Sequence, residues 1–260
     1  MIKPRDKYRK MDVLKEQIKS CSKCRLSETR IKALPGEGNL NAKIMLIAQA
    51  PGAEEDRSGK MFTGPSGKVL DELLKINRIK RDSLYMTNLV KCFLPKYRKP
   101  KQDEINACSP YLDEEIEIVN PEVLVTLGYY SYSYLMDKFH LPRPDKNALS
   151  STNGRLILAD SYKILPLKHP VALLYSKDIK NEMIKSYSLI KVLETTCKWY
   201  PVCPVKYFTD RGLIDEKWVK LYCKGNWASC TRYQMEERGK YHPDWMLPDG
   251  SLNESLKYHY

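Results

Sequence analysis

No apolar run in this 260-residue chain comes near the roughly 20 residues that a membrane-spanning helix needs. The basic opening, MIKPRDKYRK, has no apolar stretch behind it, so a secretory leader is not expected. Acidic residues are in deficit: 32 Asp+Glu stand against 44 Lys+Arg, for a net charge of +12. The eight cysteines lack the short, dense spacing of a secreted disulfide scaffold, and no grouping among them suggests radical chemistry. These absences point away from a transporter, a membrane partner or a secreted module. They lead to the expectation of a soluble, cytoplasmic protein whose partner is a polyanion, with nucleic acid first.

The charge is unevenly spread. Residues 196–260 hold 10 Lys+Arg and 8 Asp+Glu, or +2, which leaves +10 on residues 1–195. The length allows one good core plus a small second unit.

What the chain does contain is a series of buried-strand signals, each followed by polar residues. Ile44–Ala48 is an apolar run that breaks at Gln49-Ala50-Pro51-Gly52. Acids follow at Glu54, Glu55 and Asp56, then Phe62, then a Gly64-Pro65-Ser66-Gly67 turn before an amphipathic helix with Val69, Leu70, Leu73 and Leu74. A second strand, 84–87, runs into Asn88. Val123–Gly128 is the clearest parallel strand, and 155–160 and 162–167 are the last two, ending at Lys168-His169-Pro170. Helices are expected over 11–20, 67–77, 102–119, 129–139 and 179–193, with loops at Leu26–Gly38 and Leu141–Asn153, the latter carrying Pro144. Strands alternating with helices describe a doubly wound, mostly parallel α/β sheet with helices on both faces. Such sheets bind ligands beyond the carboxyl ends of their strands, where Gln49, Asn88 and His169 all fall.

After Asn88 the chain turns basic and proline-rich: Phe93-Leu94-Pro95-Lys96-Tyr97-Arg98-Lys99-Pro100-Lys101. Its prolines exclude a helix, its cations suit phosphates and its tyrosine suits a base. Cys21, Cys24, Cys92 and Cys108 form a Cys-x2-Cys pair, a long gap and a Cys-x15-Cys pair. Four thiolates suit either tetrahedral zinc or a four-iron cluster, and spacing alone does not choose. Either would tie the entry segment to the sheet and brace the basic loop. In residues 196–260, Cys203, Cys223 and Cys230, with Cys197 or His242 as a fourth ligand, suggest a second metal site, zinc or iron–sulfur.

Taken together, CSKCRLSETR, LPGEGN, AQAPGAEED, GKMFTGPSG, TNLVKCFLPKYRKP, VLVTLG and KHPVALL resemble the family 4 uracil-DNA glycosylases, the iron–sulfur branch of that superfamily, over roughly residues 12–195. The resemblance implies a three-layer α/β sandwich around a central, mostly parallel four-stranded sheet (1–195), followed here by a small, mainly helical C-terminal domain (196–260). It implies a monofunctional DNA-repair glycosylase that flips uracil out of single- or double-stranded DNA and starts base excision repair. It also implies a 4Fe-4S cluster on Cys21, Cys24, Cys92 and Cys108. Phe62 would stack on the base, Asn88 would read its edge and His169 would stand at O2. Glu55 would position water or crowd C5, and the backbone at Gln49 and Ala50 would add a donor. Ser66, Lys91, Tyr97, Arg98, Lys99, Leu173 and Leu174 would hold the strand and fill the gap. Implied as well are a monomer, a prokaryotic or archaeal, nucleoid-associated location, and downstream proteins that process the abasic site. One position departs from the family: a glutamate is usual where this chain has Gln49, and a glutamine carries no charge and is no base. That departure keeps two alternatives open, a glycosylase for hypoxanthine or xanthine and a non-catalytic DNA-binding relative.

Overall fold

In a computed structural model, residues 4–143, 149–159 and 162–260 are described. The first three residues of the basic opening, the expected loop's centre at 144–148 with Pro144, and Asp160 lie outside them. The chain divides into two compact units, Met1–Lys191 and Val192–Tyr260, with the division a few residues before the 195/196 boundary expected from sequence.

The first unit begins with α1 (Pro4–Lys19), about two turns longer at its start than its apolar pattern predicts. The chain then runs β1 (Glu37–Gly38), β2 (Ile44–Ala48), α2 (Ala53–Ser58), α3 (Pro65–Ile76), β3 (Tyr85–Asn88), α4 (Gln102–Val119) and β4 (Val123–Leu127). It continues through α5 (Tyr129–Lys138), α6 (Leu149–Thr152), β5 (Ile157–Ala159), β6 (Tyr162–Leu167), α7 (Ala172–Tyr175) and α8 (Lys180–Thr195). Helix α4 ends at Asn120, which takes the left-handed conformation (φ 47°), and Pro121 prevents its continuation.

The sheet order is β1-β3-β2-β4-β6-β5. The four inner strands, β3-β2-β4-β6, are parallel, as expected. Two short antiparallel strands cap the edges, so the sheet has six strands rather than four. Strand β1 is only two residues long and lies in the segment Leu26–Gly38 that the sequence predicts as loop; a pair so short carries no alternation to detect. Short edge strands of this kind limit the row of unpaired backbone groups that an edge would present.

Strands β2 and β4 are buried at every position, which is why they spell as unbroken apolar runs. Met45, Ile47 and Leu124 pack into one core with Met11, Leu14 and Ile18 of α1, Leu112 and Ile116 of α4 and Leu135 of α5. Their alternates, Leu46 and Val125, are as fully buried and point to the opposite face. Leu70, Leu73 and Leu74 of α3 and Met183 and Tyr187 of α8 are buried too, outside that first core. The chain leaves β2 toward β3 on one side and returns to β4 on the other. That reversal places a crevice at the carboxyl ends of the strands.

The second unit is mainly helical. It contains α9 (Pro204–Asp210), a π-helical turn at Val219–Cys223, α10 (Thr231–Glu236) and three short 3-10 turns. Among the described residues no helix is long and apolar enough to cross a membrane.

Candidate active site

The parallel register aligns Ala48 with Asn88 and Leu127 with Leu167. The inner strands therefore finish level, and the residues at their ends open into one cleft of about 280 Å³. That volume sits at the small end of ligand pockets, roughly 300–1,000 Å³, and suits a small ring better than an extended ligand. Of the residues singled out in the sequence, Gln49, Ala50, Glu55, Phe62, Ser66, Asn88, Tyr97, Arg98 and His169 all line it.

His169 lies two residues beyond β6. Its approach is fixed from both sides: Asn153 Oδ1 accepts the Lys168 N–H at 2.9 Å, and the Tyr187 hydroxyl donates to the Lys168 carbonyl at 2.9 Å. The Val171 N–H donates to His169 Nδ1 at 3.1 Å. With Nδ1 an acceptor, the ring proton belongs on Nε2. Enclosure by protein pushes the His169 pKa down to about 4, so the imidazole is neutral at physiological pH. Pro170 suits the first turn of a helix, and the dipole of such a helix would lower the pKa as well. Helix α7 is only four residues long, and burial is the cause instead.

Asn88 closes β3 and is 2% exposed. Its Nδ2 meets only the weak acceptor Met61 Sδ, at 3.3 Å, and among the described residues no hydrogen bond engages Oδ1. Its amide is therefore available to a ligand. Phe62 is buried, holds a left-handed backbone (φ 53°), and its ring centroid lies 6.5 Å from that of His169 at an interplanar angle of 32°. Gly67 permits this turn: a Cβ there would lie 1.8 Å from the Phe62 carbonyl oxygen.

Glu55 is 5% exposed and spans the loop. Its Oε1 accepts the Gly64 N–H at 3.0 Å, and a Cβ on Gly52 would come within 2.4 Å of its Oε2. It ties the two turns of the loop together while still lining the cleft. Gln49 is partly exposed in the cleft wall, and its carbonyl accepts the Val90 N–H at 2.9 Å. Asp56 faces away from the cleft, accepting from the N–H groups of Ile31 and Lys32.

The rim residues divide. Tyr97 is 75% exposed, and Lys96 and Tyr97 both have positive φ (56° and 55°), which turns the basic loop outward. Lys99 is exposed, Leu173 is half-buried and Leu174 is 47% exposed. Arg98 lines the cleft, but its guanidinium is held in a two-bond fork by the buried Glu104, at 2.8 and 2.6 Å, so it braces the loop onto α4.

Lys91 corrects the sequence reading. It was expected to contact DNA, yet it is 1% exposed. Its Nζ donates to Glu115 Oε2 at 2.6 Å, Thr87 Oγ1 at 2.7 Å and the Asn88 carbonyl at 2.8 Å. Glu115, 0% exposed, also accepts the Gly36 N–H at 2.7 Å. This network supports the backbone of Asn88 from behind. The sequence reading also passed over Met61 and Phe93 in the cleft and the exposed Tyr175 beside Leu174. Met61, just before Phe62 in a loop already marked, was within reach of that reading.

Cys21, Cys24, Cys92 and Cys108 are brought together around one small cavity, between the end of α1, the segment after β3, and α4. All are thiols. Several receive N–H···S bonds: Arg30 Nη1 to Cys92 at 3.3 Å, the Lys91 N–H to Cys108 at 3.1 Å and the Lys23 N–H to Cys21 at 3.5 Å. Burial raises the Cys92 thiol, partly offset by Arg30, and pushes Cys108 up to about 12. Among the described residues no three His, Cys, Asp or Glu side chains form a cage for a single metal ion. Four thiols with N–H donors around a common space suit a thiolate-ligated metal centre. In the second unit, Cys197 and Cys223 share a core with Cys203 packed against it, whereas His242 turns to Glu236, 3.0 Å away.

Comparison with known proteins agrees with this geometry. The family model described as the uracil DNA glycosylase superfamily matches residues 35–189. The chain is 37% identical over 198 residues to a type-4 uracil-DNA glycosylase of Sulfurisphaera tokodaii, covering 74% of this chain and 88% of the relative. It is 39% identical over 186 residues to the type-4 enzyme of Saccharolobus solfataricus, with 70% and 85% covered. It is 34% identical over 189 residues to that of Thermotoga maritima, with 70% and 95% covered. With the strand-end cleft and the four cysteines in place, this chain belongs to the uracil DNA glycosylase superfamily, among its type-4 members.

Proposed function

We propose that this chain is a DNA-repair glycosylase that hydrolyses the N-glycosidic bond of uracil in DNA and so initiates base excision repair. The observation that carries the reading is the meeting, in one small cleft, of an available Asn88 amide, the Phe62 ring and the neutral His169 imidazole. A base inside a duplex is out of reach and must be flipped, at a cost of a few kcal/mol that stacking on Phe62 partly offsets. Asn88 Nδ2 donates to uracil O4, and Oδ1 accepts from N3–H. Cytosine presents the reverse pattern and leaves buried polar groups unpaired, which discriminates strongly.

Cleavage breaks the C1′–N1 bond, and the electron pair stays with the base as the uracil anion. His169 Nε2–H donates to the charge gathering on O2, an oxyanion-type contribution of about 2–4 kcal/mol. Water adds to the cationic C1′ and releases a proton. So dissociative a reaction needs little from a base, which accommodates Gln49. Glu55, tied to Gly64, keeps the loop in shape and limits the room beside the base. Backbone groups near Gln49 and Ala50 face the same cleft. Tyr97, Lys99, Ser66, Leu173 and Leu174 hold the strand at the rim.

Cys21, Cys24, Cys92 and Cys108 hold a 4Fe-4S cluster, which braces the segment between the cleft and the basic loop. The protein works as a monomer in the cytoplasm, nucleoid-associated, on single- or double-stranded DNA, and passes an abasic site to downstream repair proteins. Its catalytic domain spans 1–195, and 196–260 form an appended domain.

The test is base release from oligonucleotides carrying uracil, hypoxanthine or xanthine, by protein purified with its cluster intact, beside Asn88→Ala. Uracil release that is abolished in Asn88→Ala is expected. No uracil release from single-stranded DNA overturns the reading. Gln49, the departure from the family, motivates a second reading as a glycosylase for another deaminated base or a non-catalytic binder. Hypoxanthine or xanthine release without uracil release supports the former, and tight binding without any release the latter.

A further inference from the structure

The second unit, Val192–Tyr260, has little to hold it together. Its buried cluster consists of Cys197, Tyr200, Val205, Val219 and Cys223. A unit of this size rarely stands on so small a core and ordinarily needs a disulfide or a metal. Its four cysteines are thiols, which removes the first option.

Those cysteines sit at the ends of its short elements. Cys197 follows α8, Cys203 immediately precedes α9, Cys223 ends the π-helical turn and Cys230 immediately precedes α10. The backbone joins two of them directly, the Cys197 N–H donating to the Cys223 carbonyl at 2.7 Å. Just after Cys223 the chain turns so sharply that a Cβ at Gly225 would lie 2.4 Å from the Leu221 carbonyl oxygen. Cys203 packs against the core that Cys197 and Cys223 share, and so does Trp227, three residues before Cys230, which brings the segments carrying all four cysteines to one core. Around them stand Trp199, Trp218, Trp227 and Tyr233, which limit water, and lysines lie over these and neighbouring rings: Lys198 at 5.3 Å from Trp199, Lys224 at 5.7 Å from Tyr200. A dry, cation-fringed nest of thiols is the environment of a bound anionic cluster.

We propose that Cys197, Cys203, Cys223 and Cys230 ligate a second 4Fe-4S cluster, which organises the C-terminal unit. His242 is not a ligand, because its ring faces Glu236. The choice of a cluster over zinc rests on the spacing: Cys-x5-Cys, x19, Cys-x6-Cys lies outside the two-to-four-residue gaps within the cysteine pairs of structural zinc sites.

The proposal does not rest on the uracil reading, and its test makes no use of base release. Full-length protein is purified anaerobically, and iron, acid-labile sulfide and zinc are counted per chain in wild type, Cys203→Ser/Cys223→Ser and Cys21→Ser/Cys24→Ser. Two clusters give roughly eight iron and eight sulfide in wild type, and roughly four of each in either double variant. Spin integration of the reduced wild type, expected near two centres per chain, gives the same answer if a variant fails to fold. Roughly four iron in wild type, unchanged in Cys203→Ser/Cys223→Ser, overturns the proposal. One zinc per chain that disappears with Cys203 and Cys223 overturns it equally, in favour of a single-ion site.

Discussion

Replacing Lys91 by methionine keeps most of the length of the side chain and removes the charge that Glu115 was buried to meet. In the folded protein Glu115 Oε2 lies 2.6 Å from Lys91 Nζ, and neither side chain is more than 2% exposed. After the change Glu115 keeps its bonds from Gly36 and Thr87 but loses its counter-charge, and the Asn88 carbonyl loses a donor. Breaking a buried pair from one side costs about 3–5 kcal/mol. For a unit of this size each kcal/mol moves Tm by roughly 2–4 °C, so the expected drop is on the order of 6–20 °C. Glu115→Leu alone should cost a similar amount. The double variant Lys91→Met/Glu115→Leu should cost less than the sum by about 2 kcal/mol or more, because it leaves no uncompensated charge. Urea unfolding followed by circular dichroism on the four proteins measures the cycle. A Lys91→Met cost below about 1 kcal/mol, or strict additivity, would refute the reasoning and return Lys91 to the surface role first expected of it.

Other consequences can be measured as directly. Gly67→Ala, which sets a methyl against the Phe62 carbonyl, should displace the ring and lower kcat/KM for uracil release by tenfold or more, with most of the fold retained; unchanged kinetics would mean that Phe62 is not held by this turn. His169 has a folded-state pKa of about 4 against an ordinary 6.5, so the unfolded chain binds the extra proton first. Its contribution to stability is full above pH 6.5, falls as pH drops toward 4 and is then exhausted, about 3 kcal/mol in all. In urea titrations between pH 7 and 4, His169→Asn should therefore lose less stability than wild type, and parallel curves would contradict the assignment. Lys96→Ala/Lys99→Ala should flatten the dependence of log K on log salt for duplex binding by about 1.8, at roughly 0.9 per lost phosphate contact. An unaltered slope would place the strand elsewhere.

The parts of the site that could be read in the sequence are those that local patterns dictate. IMLIA and VLVTL announce strands covered on both faces, and the polar residues just after such strands fall at the ligand end of the sheet by topology alone. Hence Gln49, Asn88 and His169 were found, and Phe62 and Glu55 followed from the loop between them. What escaped depends on partners distant in sequence. Lys91 looks like the first cation of a basic loop, and only the placement of α4 brings Glu115, 24 residues on, against it. Arg98 was read as a phosphate contact for the same reason, since Glu104 lies one helical turn beyond the loop and claims it. Pro170 suggested a helix dipole behind His169, but tertiary enclosure does that work. The edge strand at Glu37–Gly38 is a pairing imposed by β3, with no signature of its own.

Six consecutive residues, Thr87 to Cys92, have no idle member. Thr87 bonds Glu115, Asn88 faces the cleft, and the N–H groups of Leu89 and Val90 reach the carbonyls of Ala48 and Gln49. Lys91 carries the buried charge and Cys92 the thiol beside Arg30. Every member is committed, by side chain or backbone, to a group outside the segment, so a substitution cannot be absorbed by its chain neighbours. In a saturation-mutagenesis map of the protein, this hexapeptide should be an unbroken trough of intolerance, bordered by a basic loop a few residues on where most replacements are accepted.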